Sequence, residues 1–280
     1  MTNKRLVLIV GPTASGKTDL SIEMALRLSS PIISCDSRQI YKELKIGTAP
    51  PDKNQLSLVQ HYFIHTHSIF ERYTAGKYEL EALDLINNLF REHDSLVMVG
   101  GSGLYADALC YGIDSFPSPD MQIRSSLMDK LEKEGIDALR NELKVLDNES
   151  YRQLDIANPQ RIIRALEVTL TEGKKFSSFK TSQKKKRDFD IERVIINPDR
   201  DILYERINKR VDLMMQQGLL EEAKSLYQYR NLTALKTVGY TELFNFFDGK
   251  ISLDQAVALI KQNTRRYAKR QVTWFKKGRQ

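Results

Sequence analysis

Apolar and polar positions change their spacing several times along the chain. Leu6–Val10 is a run of five apolar residues closed by Gly11, the pattern of a buried strand and far too short to span a membrane. From Thr18 to Leu28 the period lengthens. Leu20, Met24 and Leu28, with Ile22, Ala25 and Leu26 beside them, form a broad stripe at helical spacing that Pro31 ends. Ile32-Ile33-Ser34-Cys35 then predicts a second short strand, stopping at Asp36. Strand, glycine turn, helix and strand in this order predict the opening βαβ unit of a sheet that receives a ligand at its strand ends. Residues 37–72 carry Pro50-Pro51 and mixed polar and aromatic positions, which predict a loop with short elements.

Thr74–Phe90 returns to helical spacing and leads into a predicted strand, Ser95–Val99, which ends at Gly100-Gly101-Ser102-Gly103; Leu104–Leu109 starts another helix. Two strands therefore end in polar turns of phosphate size, as expected beyond the carboxyl ends of a parallel sheet. Phe116-Pro117-Ser118-Pro119-Asp120 breaks the pattern, and 121–172 reads as helices: 121–134, 136–143 and 159–171. Lys174-Lys175 and Lys184-Lys185-Lys186-Arg187 lack apolar periodicity, which predicts a mobile basic linker. Residues 191–196 rejoin the sheet, and 200–217, 219–229, 240–247 and 253–275 are helical. The predicted class is α/β: a P-loop NTPase-like core with a parallel sheet flanked by helices, in two parts (1–115 and 189–280), and an inserted helical domain at 116–188.

Composition adds limits. A chain of 280 residues with 41% hydrophobic content can bury such a core, and a formal charge of +7 favours an anionic partner. Cys35 and Cys110 are the only cysteines, which excludes a disulfide scaffold and points to a reduced compartment. No later stretch reaches spanning length, so the expectation is a cytoplasmic protein without a membrane partner.

Residues 11–18, Gly-Pro-Thr-Ala-Ser-Gly-Lys-Thr, lie between the first strand and helix. Phosphate oxygens need several convergent donors, and a tight turn supplies backbone amides only where side chains do not intrude. Gly16 gives that clearance, Lys17 adds a point charge, and the Thr18 hydroxyl suits a magnesium ion. Gly11, Thr13, Ala14, Ser15, Gly16, Lys17 and Thr18 are the expected diphosphate contacts. Such loops usually serve nucleotide hydrolysis, with an acid at the end of a hydrophobic strand. Here the strand at 96–99 ends in glycines, and Asp36 is the only acid directly closing an early strand. Asp36 reads either as a turn cap or as a general base reaching toward the phosphate site.

Together with Ile32–Tyr41, Ile46-Gly47-Thr48-Ala49, Val99–Tyr105, Pro159–Val168, Val238-Gly239-Tyr240 and Thr264–Phe275, this loop resembles the tRNA dimethylallyltransferases, or tRNA isopentenyltransferases, in family order over nearly the whole chain. The resemblance implies transfer of a dimethylallyl group from dimethylallyl diphosphate to N6 of the adenosine 3′ to the anticodon, with pyrophosphate leaving and Mg2+ assisting. It implies catalytic roles for Asp36, Lys17, Thr18 and Arg210, with Arg206 as the second choice of arginine. It also implies RNA contacts from Asp36, Ser37, Arg38, Gln39, Ser102, Arg124, Gln160, Arg161, Ile162, Ile163 and Arg164, on the anticodon stem-loop of a tRNA bound by a monomer. Ser102 stands where the family commonly has threonine, and either hydroxyl serves. His65 stands where the family usually has an acid; with no cysteine or acidic cluster near His61, His65, His67 and His93, zinc is not expected. The chain closes without the zinc finger of some eukaryotic members, which suggests the bacterial type.

From Lys261 to Arg279 eight basic residues and no acidic one are interleaved with Tyr267, Trp274 and Phe275. The segment reads as a phosphate-contacting helix or as a solubilising one with Trp274 in the core. Three other functions stay open at this stage: a small-molecule kinase, an adenylate isopentenyltransferase acting on free nucleotides, and an RNA-binding module without activity.

Overall fold

A chain that alternates short apolar runs with helical stripes can bury both by layering helices on a sheet. The structure is a computed structural model and describes residues 4–118, 120–181 and 183–277. Pro119 of the breaker cluster and Arg279 of the basic terminus lie outside the described residues. In chain order the elements are β1 (Arg5–Val10), α1 (Lys17–Leu28), β2 (Ile32–Ser34), α2 (Lys53–Leu58), β3 (His61–Tyr62), α3 (Ala75–Leu89), β4 (Ser95–Gly100) and α4 (Gly103–Tyr111). They continue as α5 (Met121–Glu134), α6 (Ile136–Leu146), α7 (Asn148–Gln153), α8 (Pro159–Glu172), β5 (Asp190–Ile195), α9 (Arg200–Gln216), α10 (Leu219–Leu226), α11 (Tyr240–Phe247) and α12 (Leu253–Lys277). Contacts divide them into two compact units, Met1–Tyr111 with Lys186–Gln280, and Gly112–Lys185.

In the first unit the described strands form one sheet in the order β3-β2-β4-β1-β5, with every pairing parallel. Leu6–Val10 are buried on both faces, as the uninterrupted apolar run requires. On one face Val7, Ile9, Ile32 and Val97 pack against Ile22 and Ala25 of α1. Register then fixes where the turns fall. Val10 pairs with Gly100 on one side and Ile195 on the other, and Ser34 pairs with Val99. The segments that follow β1, β2 and β4 therefore leave the sheet side by side. The stretch 37–72 holds α2 and β3, whose few residues gave no periodicity to read.

The second unit has its own core. Leu127, Leu139, Leu143, Ile162, Ile163, Leu166 and Phe176 are buried together among α5, α6, α8 and the 3-10 turn Phe176–Phe179. Ile162 and Ile163, expected at RNA, are 0% exposed, because α8 turns that stripe inward to build the core. Asp147 is also buried; it accepts bonds from the amides of Ser150 and Ser177 at 3.1 and 2.8 Å and from their hydroxyls at 2.5 and 2.9 Å. Burial alone would push this carboxyl up, yet those bonds outweigh it and hold it below the usual range.

At the end of the basic stretch Arg187 differs from its exposed neighbours Lys184, Lys185 and Lys186. Arg187 is buried in an ion pair with Glu79 at 2.9 Å and also donates to the carbonyls of Leu109 and Ala108 at 2.7 and 2.9 Å. Its charge, which at sequence level marks a solvated run, serves to close the last turn of α4 and to pair a buried glutamate.

Asp147→Ala should leave four donors unpaired and weaken the helical unit by about 3 kcal/mol. Native-state hydrogen exchange should show this on the amides of α6, α7 and α8, with those of β1 and β4 unchanged.

Candidate active site

The turn between β1 and α1 has two left-handed residues, Ala14 at φ 62° and Gly16 at φ 89°. Alternation of right- and left-handed backbone turns successive amides to one side, and α1 begins at Lys17 with no side-chain cap on its first amides. Gly11 is needed for packing: a Cβ there would lie 2.5 Å from the carbonyl oxygen of Ile196. The Ser15 hydroxyl is buried without a partner among the described residues, a donor available to an anion in the turn. Lys17 Nζ donates to the Pro12 carbonyl at 2.6 Å, which folds its side chain back over the loop.

A cleft of about 1330 Å³ opens over this turn, lined by the loop, by Asp36–Gln39, by the turn 45–49 and by residues of α9 and α12. Asp36 makes both of the contacts weighed for it possible at once. Its Oδ1 accepts the amides of Arg38 and Gln39 at 2.8 and 3.3 Å, the turn cap. Oδ2 takes no hydrogen bond among the described residues and belongs to a side chain lining the cleft. From α9, Arg210 Nη1 donates to Thr13 Oγ1 at 3.2 Å, and a Cβ at Gly16 would lie 4.0 Å from Arg206 Nη1, so both arginines reach the loop.

Charges in the cleft act on one another. Burial pushes the Lys17 ammonium down to about 8; Asp36 opposes that shift, and Arg210 adds to it. Tyr267 of α12 is pushed up to about 12, first by burial and then by Asp36. The amide of Ser37 donates to Ser102 Oγ, and the Ser102 hydroxyl to Ser37 Oγ, both at 2.9 Å. Lysine, arginine, serine and aspartate thus converge from three strand ends and two helices. This geometry can hold a diphosphate at one end and take a proton at the other.

A family model described as IPP transferase matches residues 39–278. The chain belongs to this family. It is 52% identical over 272 residues to the tRNA dimethylallyltransferase of Christiangramia forsetii, covering 97% of this chain and 90% of that one. It is 48% identical over 277 residues to tRNA dimethylallyltransferase 1 of Bacteroides fragilis, covering 99% and 92%. The crystal structure of the tRNA isopentenylpyrophosphate transferase of Bacillus halodurans matches with a TM-score of 0.69 and 34% identity, over 98% of this chain and 87% of that one. A eukaryotic dimethylallyltransferase acting on tRNA matches with a TM-score of 0.77 and 26% identity, over 97% and 69%.

Several residues of the transferase expected at RNA also hold its own structure. Arg38 donates to the carbonyls of Thr233 and Ala234, each at 3.2 Å, and Gln39 Nε2 donates to those of Thr48 and Ala49 at 3.2 and 3.0 Å. In the helical unit Arg124 bonds Gln160 Oε1 at 3.0 Å and pairs with the buried Glu167 at 2.9 Å; Arg164 faces the same carboxylate at 3.4 Å, and Arg161 is exposed beside Asp155 at 3.8 Å.

Other site residues of the transferase were not foreseen. Glu222 accepts the amides of Lys45, Ile46 and Gly47 at 2.9, 2.9 and 3.0 Å and the Tyr240 hydroxyl at 2.7 Å, which fixes one wall of the cleft. Gln271 of α12 joins the phosphate loop to the end of β4. Its signal was legible in retrospect, a glutamine on the same helical stripe as the buried Ala268 and Phe275. Trp274 is 41% exposed, its Nε1 donating to Asp107 at 2.7 Å, so Phe275 takes the core position considered for it.

The depressed Lys17 gives a pH test. Bound diphosphate stabilises the charged ammonium, so binding takes up a proton only above about pH 8, where the free side chain is neutral. Pyrophosphate affinity should accordingly carry an extra loss of up to about tenfold per pH unit above that point. Titration calorimetry at pH 7 and pH 9 should show this extra slope in the wild type and its disappearance in Lys17→Met.

Proposed function

We propose that the transferase moves the dimethylallyl group of dimethylallyl diphosphate to N6 of the adenosine on the 3′ side of a tRNA anticodon. The bond from the prenyl C1 to the diphosphate oxygen breaks, the bond from C1 to N6 forms, and pyrophosphate leaves. The N6 proton passes to Asp36 Oδ2. An exocyclic purine amine is a poor nucleophile because its lone pair is delocalised, so a carboxylate that accepts its proton as the new bond forms lowers the barrier. Lys17, Arg210 and the amides of 14–18 stabilise the charge gathering on the leaving group. The observation that carries this reading is the convergence of a phosphate-loop lysine and a carboxylate with an uncommitted oxygen in one cleft.

Among the described residues no group of three His, Cys, Asp or Glu could hold a metal unaided. The Thr18 hydroxyl, which lines the cleft at the loop, would hold a magnesium ion together with the ligand. Such an ion supplies charge neutralisation to the leaving group. RNA contacts are assigned to Ser37, Arg38, Gln39 and Ser102 at the base turn, and to Arg124, Gln160, Arg161 and Arg164 of the helical unit. Because the anticodon loop is single-stranded, the target base can be turned out of its stack to reach Asp36. One chain carries both the proposed donor clamp and the base, and a monomer in the cytoplasm is the assignment that fits this reading. Among the described residues no helix is long and apolar enough to cross a membrane.

Incubation with an unmodified tRNA transcript, magnesium and either dimethylallyl diphosphate or ATP tests the reaction. Mass spectrometry should find one prenyl group on the RNA with the first donor only; ATP-dependent phosphorylation without prenylation, or better turnover on free adenine nucleotides, would overturn it. Asp36→Asn keeps the Oδ1 turn cap and loses the base. Its kcat should fall by about 10²- to 10⁴-fold, with tRNA binding within about threefold of wild type; a kcat near wild type would remove Asp36 from the proton transfer.

A further inference from the structure

Gln271 takes no part in the chemistry above, yet its amide joins two segments distant in sequence. It is 6% exposed. Oε1 accepts the Thr13 amide at 2.9 Å, and Nε2 donates to the Gly101 carbonyl at 2.9 Å. The partners dictate which way the amide faces, because an N–H can meet only an oxygen and a carbonyl only a donor. A Cβ on Gly101 would lie 2.3 Å from Nε2, so the glycine is what admits the amide. An apolar residue at 271 would bury Thr13 N–H and Gly101 C=O unpaired.

Bonds run outward from both ends of this amide. On one side, Thr13 Oγ1 accepts from Arg210 at 3.2 Å, in the leaving-group clamp. On the other, Gly101 precedes Ser102, which holds the amide and hydroxyl of Ser37 at 2.9 Å, next to Asp36. A further bond ties α12 to α9: Arg265 Nη1 donates to Asn208 Oδ1 at 2.6 Å, two residues before Arg210. One polar path therefore connects the arginine at the diphosphate to the turn of the base, and Gln271 is its midpoint.

We propose that Gln271 is a positioning residue that sets the separation between the diphosphate clamp and Asp36. The proposal rests on the transfer reaction assigned above. Donor and acceptor each bind to one end of the path, so loosening its midpoint leaves both sites intact and spoils their mutual placement. A displacement of about 1 Å between reacting groups costs on the order of 10²-fold in rate.

Gln271→Met keeps the volume and removes both bonds. It should lower kcat for prenyl transfer by about 30- to 100-fold, with KM for dimethylallyl diphosphate and Kd for tRNA within about threefold of wild type. Gly101→Ala, which drives a methyl against Nε2 from the opposite side, should show the same split. In a Ser102→Ala background, where the path is already cut, Gln271→Met should cost less than it does alone. Gln271→Leu, which likewise removes both bonds, replaces Gln271→Met if that variant does not fold, and the same split is expected of it. A kcat within about threefold of wild type, a loss carried wholly by KM or Kd, or effects of Gln271 and Ser102 that simply multiply would overturn the proposal. Wild-type protein run in parallel separates the two levels: no transfer by wild type sinks the assigned reaction, whereas full transfer by the variants sinks only the positioning role.

Discussion

The diphosphate proposed for the loop would bring several negative charges to the end of β1, a strand whose residues Leu6–Val10 are buried. Meeting that charge with ionised side chains alone would require cations to be desolvated at the sheet edge, at a cost of several kcal/mol each. Backbone amides avoid the cost, since they are dipoles already fixed by the fold and need only be turned to one side. That turning is what the left-handed residues Ala14 and Gly16 accomplish. Much of the neighbouring sequence follows from it. Gly11 must lack a side chain so that the loop can lie against Ile196, and the sheet must be parallel so that other strands deliver their groups to the same edge. The single cation inside the loop, Lys17, shows in its lowered affinity for a proton what several such cations would have cost.

Asp36 illustrates how a short turn can hold its own fold and still offer a group to the cleft. A carboxylate has two oxygens, and here one satisfies the amides of Arg38 and Gln39 while its twin belongs to the cleft. The structural bonds orient the second oxygen, so the turn cap and the proposed base role are compatible. Glu222 shows the other extreme, with both oxygens committed to the turn 45–47 and to Tyr240.

Legibility in the sequence followed the range of the interactions concerned. β1, β4 and the long helices were readable because their patterns repeat over many residues, and α3 even announces its start with Thr74, whose hydroxyl accepts the Lys77 amide. The two-residue β3 exists because β2 offers it an edge, which no local pattern encodes. At the site, the phosphate loop is a contiguous motif and could be read directly. Asp36 could be named from its place at the end of a strand, but its cap and its uncommitted oxygen could not be apportioned. Gln271, Glu222 and Arg187 act across 258, 177 and 108 residues of chain respectively, and their residue types are ordinary on helices and linkers. The burial of Ile162 and Ile163 was hidden for the converse reason: a motif identifies residues that matter together, while helical geometry decides which of them face inward.

Arg187 also bears on the order in which the chain acquires its structure. β5 must pair with β1 after the chain has wandered through Gly112–Lys185, and closing so long a flexible loop carries an entropic penalty that grows with the logarithm of its length. Because the helical unit has a core of its own, it can collapse before the last strand arrives, and the long tether then behaves as a short one. The saving is about 2 kcal/mol by the same logarithmic law. Arg187, bonded to Ala108 and Leu109 just before the excursion begins, then works as a latch at its mouth, and the sheet is completed by what is in effect a local event.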